Sequence, residues 1–281
     1  MRPAGRDAQL LTEAVTLASL NTRGAPLLGT HRAARSAAIA ACLEGSDVDA
    51  VCLQEVHTYF HLRMLATKMP SFTHVGYAAT PVGPAGGLVT LSRRRAETRH
   101  AFHRFGAVRA HGVPWRTRLL ANLKGTLVTR LTQPAMVIVN THPSAVRDGD
   151  WTESGRFAPL QRHQYGVLAR IVAELPDDLA IAVCGDFNAP ADSDVHRQLL
   201  AATGLHDAFD GRCPPTFRAE YLPAGELPHC IDFILARGAL AGHTDTMLAE
   251  PVPLPGGSAH VSDHVGLRAS LLITASSNDD V

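Results

Sequence analysis

The stretch that decides the fold is LAIAVCGDFN, at residues 179–188. It opens with five apolar residues and reaches Gly185 soon after, a pattern typical of a short buried strand. Asp186 and Asn188 stand two apart, and in an extended chain such residues project to the same side. A carboxylate and an amide at a strand end can meet one small charged ligand. The stretch therefore predicts a buried strand whose end orients a water molecule and holds a phosphate oxygen.

Other predicted strands also have polar side chains at one end. They are Val15–Leu20 before Asn21, Asp49–Gln54 before Glu55, Ala135–Thr141 before His142, Ile231–Leu235 with Asp232, and Val265–Arg268 after Asp263 and His264. Carboxylates, amides and imidazoles at several strand ends can converge on one hard cation and one anionic group. The pattern therefore predicts a single composite site.

Six motifs in one order carry a family resemblance. They are the strand ending in Asn21, Leu53-Gln54-Glu55, Asn140-Thr141-His142, Gly185-Asp186-Phe187-Asn188, Ile231-Asp232-Phe233 and Ser262-Asp263-His264. Together they resemble the endonuclease/exonuclease/phosphatase superfamily, which has the DNase I-like fold. The resemblance implies an α/β (α+β) four-layer sandwich, with two packed mixed β-sheets flanked by helices, as one domain over residues 1–281. Residues 86–93 and 124–130 are further similar to the neutral sphingomyelinase-like branch.

The resemblance also implies a chemistry and a role for each residue. It implies a divalent-metal-dependent phosphoric ester hydrolase, a phosphodiesterase or phosphatase, that works by direct in-line water attack. The expected ligands of Mg²⁺, with Mn²⁺ or another divalent cation as substitutes, are Asn21, Glu55 and Asp263. The expected catalytic residues are His142, Asp186, Asn188, Asp232 and His264, with Asp232 holding the ring of His264.

Each of these residues also has a plainer interpretation. Glu55 could cap or pair with the helix that follows it, and Asn21 could be a turn residue. Asp186 and Asn188 could form a turn that caps a helix beginning near Asp192. The choice between Asp186 and His264 as general base stays open on sequence grounds.

Three positions depart from the family pattern. Thr22 and Arg23 follow Asn21 where a tryptophan or an acidic residue is common, which favours one metal ion over two. Pro143 follows His142 where leucine is usual, and this predicts a bend at that strand's exit. Cys230 stands where a basic residue is common, so one charge on the substrate side is missing.

The amino-acid composition narrows the range of expected substrates. The 281 residues are 46% hydrophobic and 19% charged, with a formal net charge of zero, which is typical of a globular protein. Proteins that bind nucleic acid through its phosphates usually carry an excess of Lys and Arg, so a nuclease or abasic-site endonuclease is disfavoured but not excluded.

We expect the substrate to be a phosphorylated small molecule or a lipid headgroup. No aromatic hairpin is evident, so a soluble metabolite is as plausible as a lipid. A non-catalytic phospho-ligand binding module ranks last, because the motif residues are present.

Candidate phosphate contacts and surface residues follow from their positions near the strand ends. Arg23, Arg32, Arg118 and Lys124 could each contact phosphate, although for each one a solvated surface is the more common role. Trp115 and Trp151 could line a pocket or pack at the surface of the core. We expect Arg93 to Arg95 to form a hairpin turn in water.

No run reaches the length of a membrane-spanning helix, and the first residues lack the apolar core of a signal peptide. The five cysteines are expected to be mostly reduced, buried residues. We therefore expect a monomer in the cytoplasm.

Periodicity and breaker residues predict the remaining elements. Helices are expected over 31–43, 58–68, 157–175 and from Asp192 or Ser193 to Leu200, strands around 88–92 and 119–131, loops over 81–87, 146–156 and 251–257, and short flexible ends at about 1–12 and 275–281.

Overall fold

The computed structural model describes residues 12–24, 30–107, 110 and 112–274. The helices are α1 (Arg32–Glu44), α2 (Tyr59–Ala66), α3 (Trp115–Ala121), α4 (Ala158–Ala173) and α5 (Asp194–Thr203), with short 3-10 turns at Ala85–Gly87 and Ala219–Tyr221. The strands are β1 (Thr12–Asn21), β2 (Ala50–Gln54), β3 (His74–Gly76), β4 (Val89–Ser92), β5 (Ala101–Arg104), β6 (Gly125–Thr132), β7 (Ala135–Thr141), β8 (Ala180–Asp186), β9 (His206–Asp207), β10 (Asp232–Arg237), β11 (Leu240–Met247), β12 (Val252–Leu254), β13 (Gly257–Ala259) and β14 (Gly266–Thr274).

Two six-stranded mixed sheets form the middle of the molecule. Sheet one has the strand order β11-β14-β1-β2-β4-β3, and sheet two has the order β5-β6-β7-β8-β10-β9. In each sheet one central pair is parallel, β1 with β2 and β7 with β8, while the other pairs are antiparallel. A hairpin of β12 and β13 stands apart from both sheets.

Three apolar layers hold the sandwich together. Small and branched side chains from both sheets, such as Ala182, Cys184 and Ile234, fill the space between them. The outer face of sheet one packs on α1 and α2, and the outer face of sheet two packs on α4 and α5. Central strands covered on both faces must be apolar throughout, and all five residues of β2 and all seven of β8 are buried accordingly. The four-layer sandwich predicted from the motifs is confirmed.

A buried asparagine ties one sheet to the other. Asn140 on β7 is fully buried, and its Nδ2 donates to the carbonyl oxygens of Leu53 at 3.1 Å and Val89 at 2.9 Å. Its Oδ1 accepts from Nε2 of Gln54 at 2.9 Å. Leu53, Gln54 and Val89 belong to sheet one, so this side chain fixes the alignment of the two sheets just below the strand ends that carry the motifs.

Most predicted elements are confirmed, with shifts of a few residues at their ends. Ser193 is the N-cap of α5, and its side chain accepts from the backbone N–H of His196. Gly204, in the left-handed region at φ +65°, ends that helix three residues beyond the predicted Leu200. Thr12 already lies in β1, opposite Thr274, so the predicted flexible end is one residue too long. The rest of the two predicted flexible ends, 1–11 and 275–281, lies outside the described residues.

Three local predictions are wrong. The loop expected over 251–257 contains β12 and the first residue of β13, which pair as a hairpin. The strand expected over 119–131 begins only at Gly125, because residues 115–121 form α3. The leucines of this stretch suit either structure, and Pro114 begins a helical turn at its N-terminus. Arg93 does not lie in a turn in water: its guanidinium donates to the carbonyl oxygens of Leu43, Glu44, Ser46 and Val48. Arg93 thereby closes the C-terminal end of α1.

All five cysteines are free, as expected, but only Cys52 and Cys184 are buried, so the expectation that most of them are buried is wrong. Among the described residues, no helix is long and apolar enough to cross a membrane.

Candidate active site

Six strand ends meet at one end of the sandwich, which we call the site end. Sheet one brings Asn21 at the end of β1, Glu55 after β2 and His264 just before β14. Sheet two brings His142 after β7, Asp186 at the end of β8 and Asp232 at the start of β10. Because β10 and β14 run antiparallel to their neighbours, their first residues reach the same end as the last residues of β8 and β1.

The carboxylate of Asp186 lies at the centre of this group. Its Oδ2 accepts a hydrogen bond from Nδ2 of Asn21 at 2.9 Å. The same oxygen lies 3.3 Å from Nε2 of His142 and 3.6 Å from Nε2 of His264. Oδ1 accepts the backbone N–H of Asn188 at 3.0 Å. Asp186 therefore joins residues from both sheets in one buried cluster.

The surrounding cations keep Asp186 ionised. Burial opposes ionisation, but His264, His142 and Lys124 outweigh it and hold the pKa of Asp186 well below its usual range. Glu55 shows the same balance: burial opposes its charge, while His142, Lys124 and His57 lower its pKa. The site end thus holds one buried and one half-buried carboxylate, Asp186 and Glu55, in their charged form.

Asp232 and His264 form a hydrogen-bonded pair. Nδ1 of His264 lies 2.8 Å from Oδ2 of Asp232, and both side chains are buried. Asp232 is anchored in turn because its backbone N–H donates to Oγ1 of Thr216 at 3.1 Å. The backbone N–H of His264 donates to Oγ of Ser262 at 3.1 Å. The pairing implied by the family resemblance is present in the fold.

His264 faces carboxylates with both ring nitrogens. Burial disfavours its positive charge, but Asp232 and Asp186 outweigh burial and raise the pKa of His264 to about 10. At neutral pH the ring is therefore an imidazolium that carries a proton on each nitrogen.

The backbone on both sides of Asp186 has an unusual conformation. Gly185 has a φ of +155°, and a Cβ added there would lie 2.0 Å from the carbonyl oxygen of Thr141. Only glycine therefore lets β8 approach β7 this closely. Asn188 has a φ of +54°, a left-handed conformation that asparagine tolerates better than most residues. Its carbonyl oxygen accepts from Nε1 of Trp151 at 3.1 Å and from Nε2 of Gln161 at 2.9 Å.

The carbonyl oxygen of Pro143, beside this cluster, accepts two hydrogen bonds. Nδ2 of Asn188 donates to it at 3.1 Å, and Nζ of Lys124 donates to it at 3.0 Å. Burial lowers the pKa of Lys124 to about 8, although Asp186 and Glu55 act to raise it. The side chain of Asn188 is thus directed at the protein backbone, while Lys124 places a positive charge next to the two carboxylates.

The three predicted metal ligands occupy different surroundings. Nδ2 of Asn21 donates to Asp186 and approaches Oε1 of Glu55 at 3.4 Å, while its Oδ1 accepts the backbone N–H of Arg23. Asp263 is half-buried, and its Oδ2 lies 3.4 Å from Nε of Arg23. Burial raises the pKa of Asp263, and the nearby charge of Glu55 acts in the same direction. The roles of Asn21, Glu55 and Asp263 as ligands stay predictions.

Sequence reasoning missed several residues that hold the site in place. Oγ of Ser262 donates to the carbonyl oxygen of Asn21 at 2.6 Å and so connects β1 with the segment before β14. Arg218 donates to the carbonyl oxygens of Ser262, Leu248 and Ala249 and holds the same segment from outside. Ser262 lies within a quoted motif and could have been singled out. Arg218 lies in no recognisable pattern, because most of its partners are backbone carbonyl groups of distant segments.

Solved structures with the same fold support the architecture. Sphingomyelinase C from Streptomyces griseocarneus is 18% identical, with a TM-score of 0.65 over 92% of this chain and 99% of that one. Beta toxin from Staphylococcus aureus is 14% identical, with a TM-score of 0.67 over 91% and 99%. Truncated TDP2 from Caenorhabditis elegans is 18% identical, with a TM-score of 0.67 over 92% and 97%. At these identities the likeness concerns the fold alone. No curated protein matches the chain in sequence.

The sequence match to a family covers almost all of the sandwich. Residues 18–264 match the endonuclease/exonuclease/phosphatase family, a range that runs from β1 to His264 and includes every predicted site residue. The enzymes in that family's description act on phosphoric esters. The chain belongs to the endonuclease/exonuclease/phosphatase family.

Proposed function

We propose that the protein hydrolyses a phosphoric ester by direct attack of water, with the help of a divalent cation. The observation that carries the proposal is the environment of Asp186. A buried, ionised carboxylate lies within 3.6 Å of the side-chain nitrogens of Asn21, His142 and His264. One acceptor among several donors can hold a water molecule on one side while the donors meet phosphoryl oxygens on the other.

The donor set suits a hard cation near Glu55. Mg²⁺ prefers oxygen ligands, and Glu55 interacts electrostatically with both Asp186 and Asp263. Another triad, Asp186, Asp232 and His264, has ligand atoms within 4.8 Å of one another. We disfavour it, because both ring nitrogens of His264 face carboxylates and an imidazolium cannot bind a metal. Glu55, with Asp263 and Asn21, would hold the cation, which when bound would neutralise charge on the phosphoryl group.

The other site residues then have separate roles in the reaction. Asp186, ionised and accepting, orients the attacking water. His264, kept protonated by Asp232, donates to the phosphoryl group as its negative charge grows. His142 adds a second donor, and its Nδ1 is buried with no partner among the described residues. This division favours Asp186 over His264 as the group that acts on the water.

The substrate is proposed to be a phosphorylated small molecule or a lipid headgroup. The zero net charge of the chain disfavours a nonspecific nuclease. A nuclease is the second candidate, because the TDP2 structure from D. rerio, at 16% identity, is described as a complex with a single-strand DNA product.

A metal-supplemented activity screen tests the proposal. The wild type is incubated with Mg²⁺ or Mn²⁺ and a panel of phosphomonoesters, phosphodiesters, lipids and nucleic acids. We expect release of product that EDTA abolishes and that falls about a thousandfold in His264→Ala, a typical loss for one transition-state donor. His243→Ala, at an exposed histidine on β11, is the matched control and should be unaffected.

Two results would count against the proposal. Product release that His264→Ala leaves unchanged would show that the site lies elsewhere. A complete lack of hydrolysis across the panel, together with tight binding of a phosphorylated ligand that Glu55→Gln weakens, would favour the non-catalytic module instead.

A further inference from the structure

Exposed apolar side chains are concentrated at the site end. Among the described residues, eleven large hydrophobic side chains are exposed, and nine of them lie in segments that precede or follow strands at the site end. These nine are Tyr59, Phe60, Val82, Trp115, Leu119, Leu120, Leu123, Tyr221 and Leu227. The other two, Leu240 and Leu272, face each other across the opposite end of sheet one. Scattered exposed apolar residues are normal, but a concentration at one end indicates an interaction surface.

The densest part of this surface is the α3 segment, which we define as residues 113–124. Trp115 is 63% exposed, and Leu119, Leu120 and Leu123 are each more than half exposed. Within α3 only Ala121 is buried. A seven-residue helix with so little burial gains little stability from packing on its own protein.

The α3 segment is nevertheless anchored to the sandwich. Val113 and Ala121 pack in a small cluster with Phe157 and Leu160, which fixes the inner side of the segment to the start of α4. At its C-terminal end, Lys124 turns inward and donates to the carbonyl oxygen of Pro143. The leucines and Trp115 therefore face outward from a fixed base, directly beside the site.

The same region carries an excess of positive charge. Residues 98–147 contain eight Lys and Arg and no Asp or Glu, in a chain whose net charge is zero. Arg104, Arg116 and Arg118 are exposed near the apolar side chains. The partner that this surface fits is therefore both anionic and apolar.

We propose that the α3 segment docks on the surface of a lipid bilayer that contains anionic lipids. A short exposed helix that combines tryptophan and leucines with arginines suits the boundary between headgroups and acyl chains. Single-stranded nucleic acid also attracts arginine and stacks on tryptophan, but it offers nothing to three exposed leucines. This docking element is a helix rather than an aromatic hairpin.

Docking would place the site opening against the lipid headgroups. Combined with the proposed function, on which this step rests, it favours a lipid phosphoester over a soluble metabolite. Binding to vesicles can be measured in EDTA without turnover, so the docking surface and the hydrolytic activity can fail independently of each other.

Vesicle sedimentation tests the docking surface. Wild-type protein in EDTA is mixed with vesicles of phosphatidylcholine, with or without phosphatidylserine, and the bound fraction is measured. We expect binding that phosphatidylserine strengthens. Changing both Leu119 and Leu120 to serine should weaken it about tenfold for each side chain, since burying one leucine changes a partition constant by about that factor. Arg116→Glu should weaken binding about fivefold or more, and only when phosphatidylserine is present.

Matched controls separate docking from general effects. Leu240→Ser removes a leucine that is 68% exposed at the opposite end, and it should leave binding unchanged. The emission of Trp115 should shift to the blue on adding vesicles, and Trp115→Phe should abolish this shift. Thermal unfolding of each variant checks that the fold persists.

Three outcomes would overturn the docking proposal. The first is a lack of vesicle binding by folded wild type. The second is equal loss of binding in the Leu240→Ser control. The third is that vesicles are not bound and the leucine changes instead abolish a dimer in solution or the binding of a single-stranded oligonucleotide.

Discussion

Lowering the pH should reduce the free energy of unfolding of the protein through one buried histidine near the site. His196 on α5 is 1% exposed, and its ring centroid lies 4.3 Å from that of Phe233 and 6.1 Å from that of Phe187. These two phenylalanines are the neighbours of Asp232 and Asp186 in the chain. Burial lowers the pKa of His196 from its ordinary value near 6.5 to about 4, and no charged group among the described residues contributes to the shift.

The sign and size of the effect follow from proton linkage. Below pH 6.5 the unfolded chain takes up a proton at His196, while the folded protein does so only near pH 4, so stability falls as the pH drops through this window. The full difference is about 3 kcal/mol, and at pH 5 it amounts to about 2 kcal/mol. Against a total stability of about 5–15 kcal/mol this is a large share.

Urea unfolding at pH 7.5 and pH 5 measures the effect. His61 is also buried, with a pKa lowered to about 4, so the wild type loses more than His196 alone explains. For each protein, the loss of unfolding free energy between pH 7.5 and pH 5 is measured. The informative quantity is the loss of the wild type minus the loss of His196→Phe. We expect the variant to lose about 2 kcal/mol less. A constant packing cost of the larger ring cancels in this comparison.

The exposed His243 provides the control, because His243→Phe should keep the full pH dependence of the wild type. If His196→Phe and wild type lose equal stability between pH 7.5 and pH 5, the buried ring is not the titrating group and the reasoning is refuted.

Three further changes probe the frame and the chemistry of the site. Asn140→Ala should lower the free energy of unfolding by about 3 kcal/mol, because it removes three buried hydrogen bonds between the sheets; a loss under 1 kcal/mol by urea unfolding would contradict this. Gly185→Ala should prevent stable folding because its Cβ meets a backbone oxygen, whereas Gly166→Ala in α4, with open space around it, should keep or slightly raise the thermal midpoint. Asp232→Asn should lower kcat about a thousandfold or more with little change in KM, because the ring of His264 loses its charged partner; unchanged kcat in steady-state assays would remove Asp232 from the mechanism.

The fold and most of the site follow from local patterns in the sequence. The apolar run before Asp186 predicts a strand buried on both faces, and β8 is buried at all seven residues. The approach of Asp186 to His142 and His264 follows only from the order of motifs in a known family, because spacing in the chain cannot give distances across two sheets. Without that order, each residue would have kept its plainer interpretation as a cap or a turn.

Sequence reasoning fails where a side chain donates hydrogen bonds to the backbone of a distant segment. Arg93 and Arg218 resemble surface arginines in the sequence, yet both donate to carbonyl groups far along the chain. The α3 helix was missed for a different reason. Its leucines are spaced for either a strand or a helix, and their exposure is a property of the tertiary structure that no local pattern records.

The division of the site between the two sheets links catalysis to the whole architecture. Asn21, Glu55 and His264 belong to one sheet, and His142, Asp186 and Asp232 belong to the other. Each sheet alone carries only half of the candidate site, and a slip of one sheet against the other by a single residue would part the carboxylate of Asp186 from Asn21 and His264. Under the proposed function, hydrolytic activity is therefore expected to report on correct docking of the two sheets.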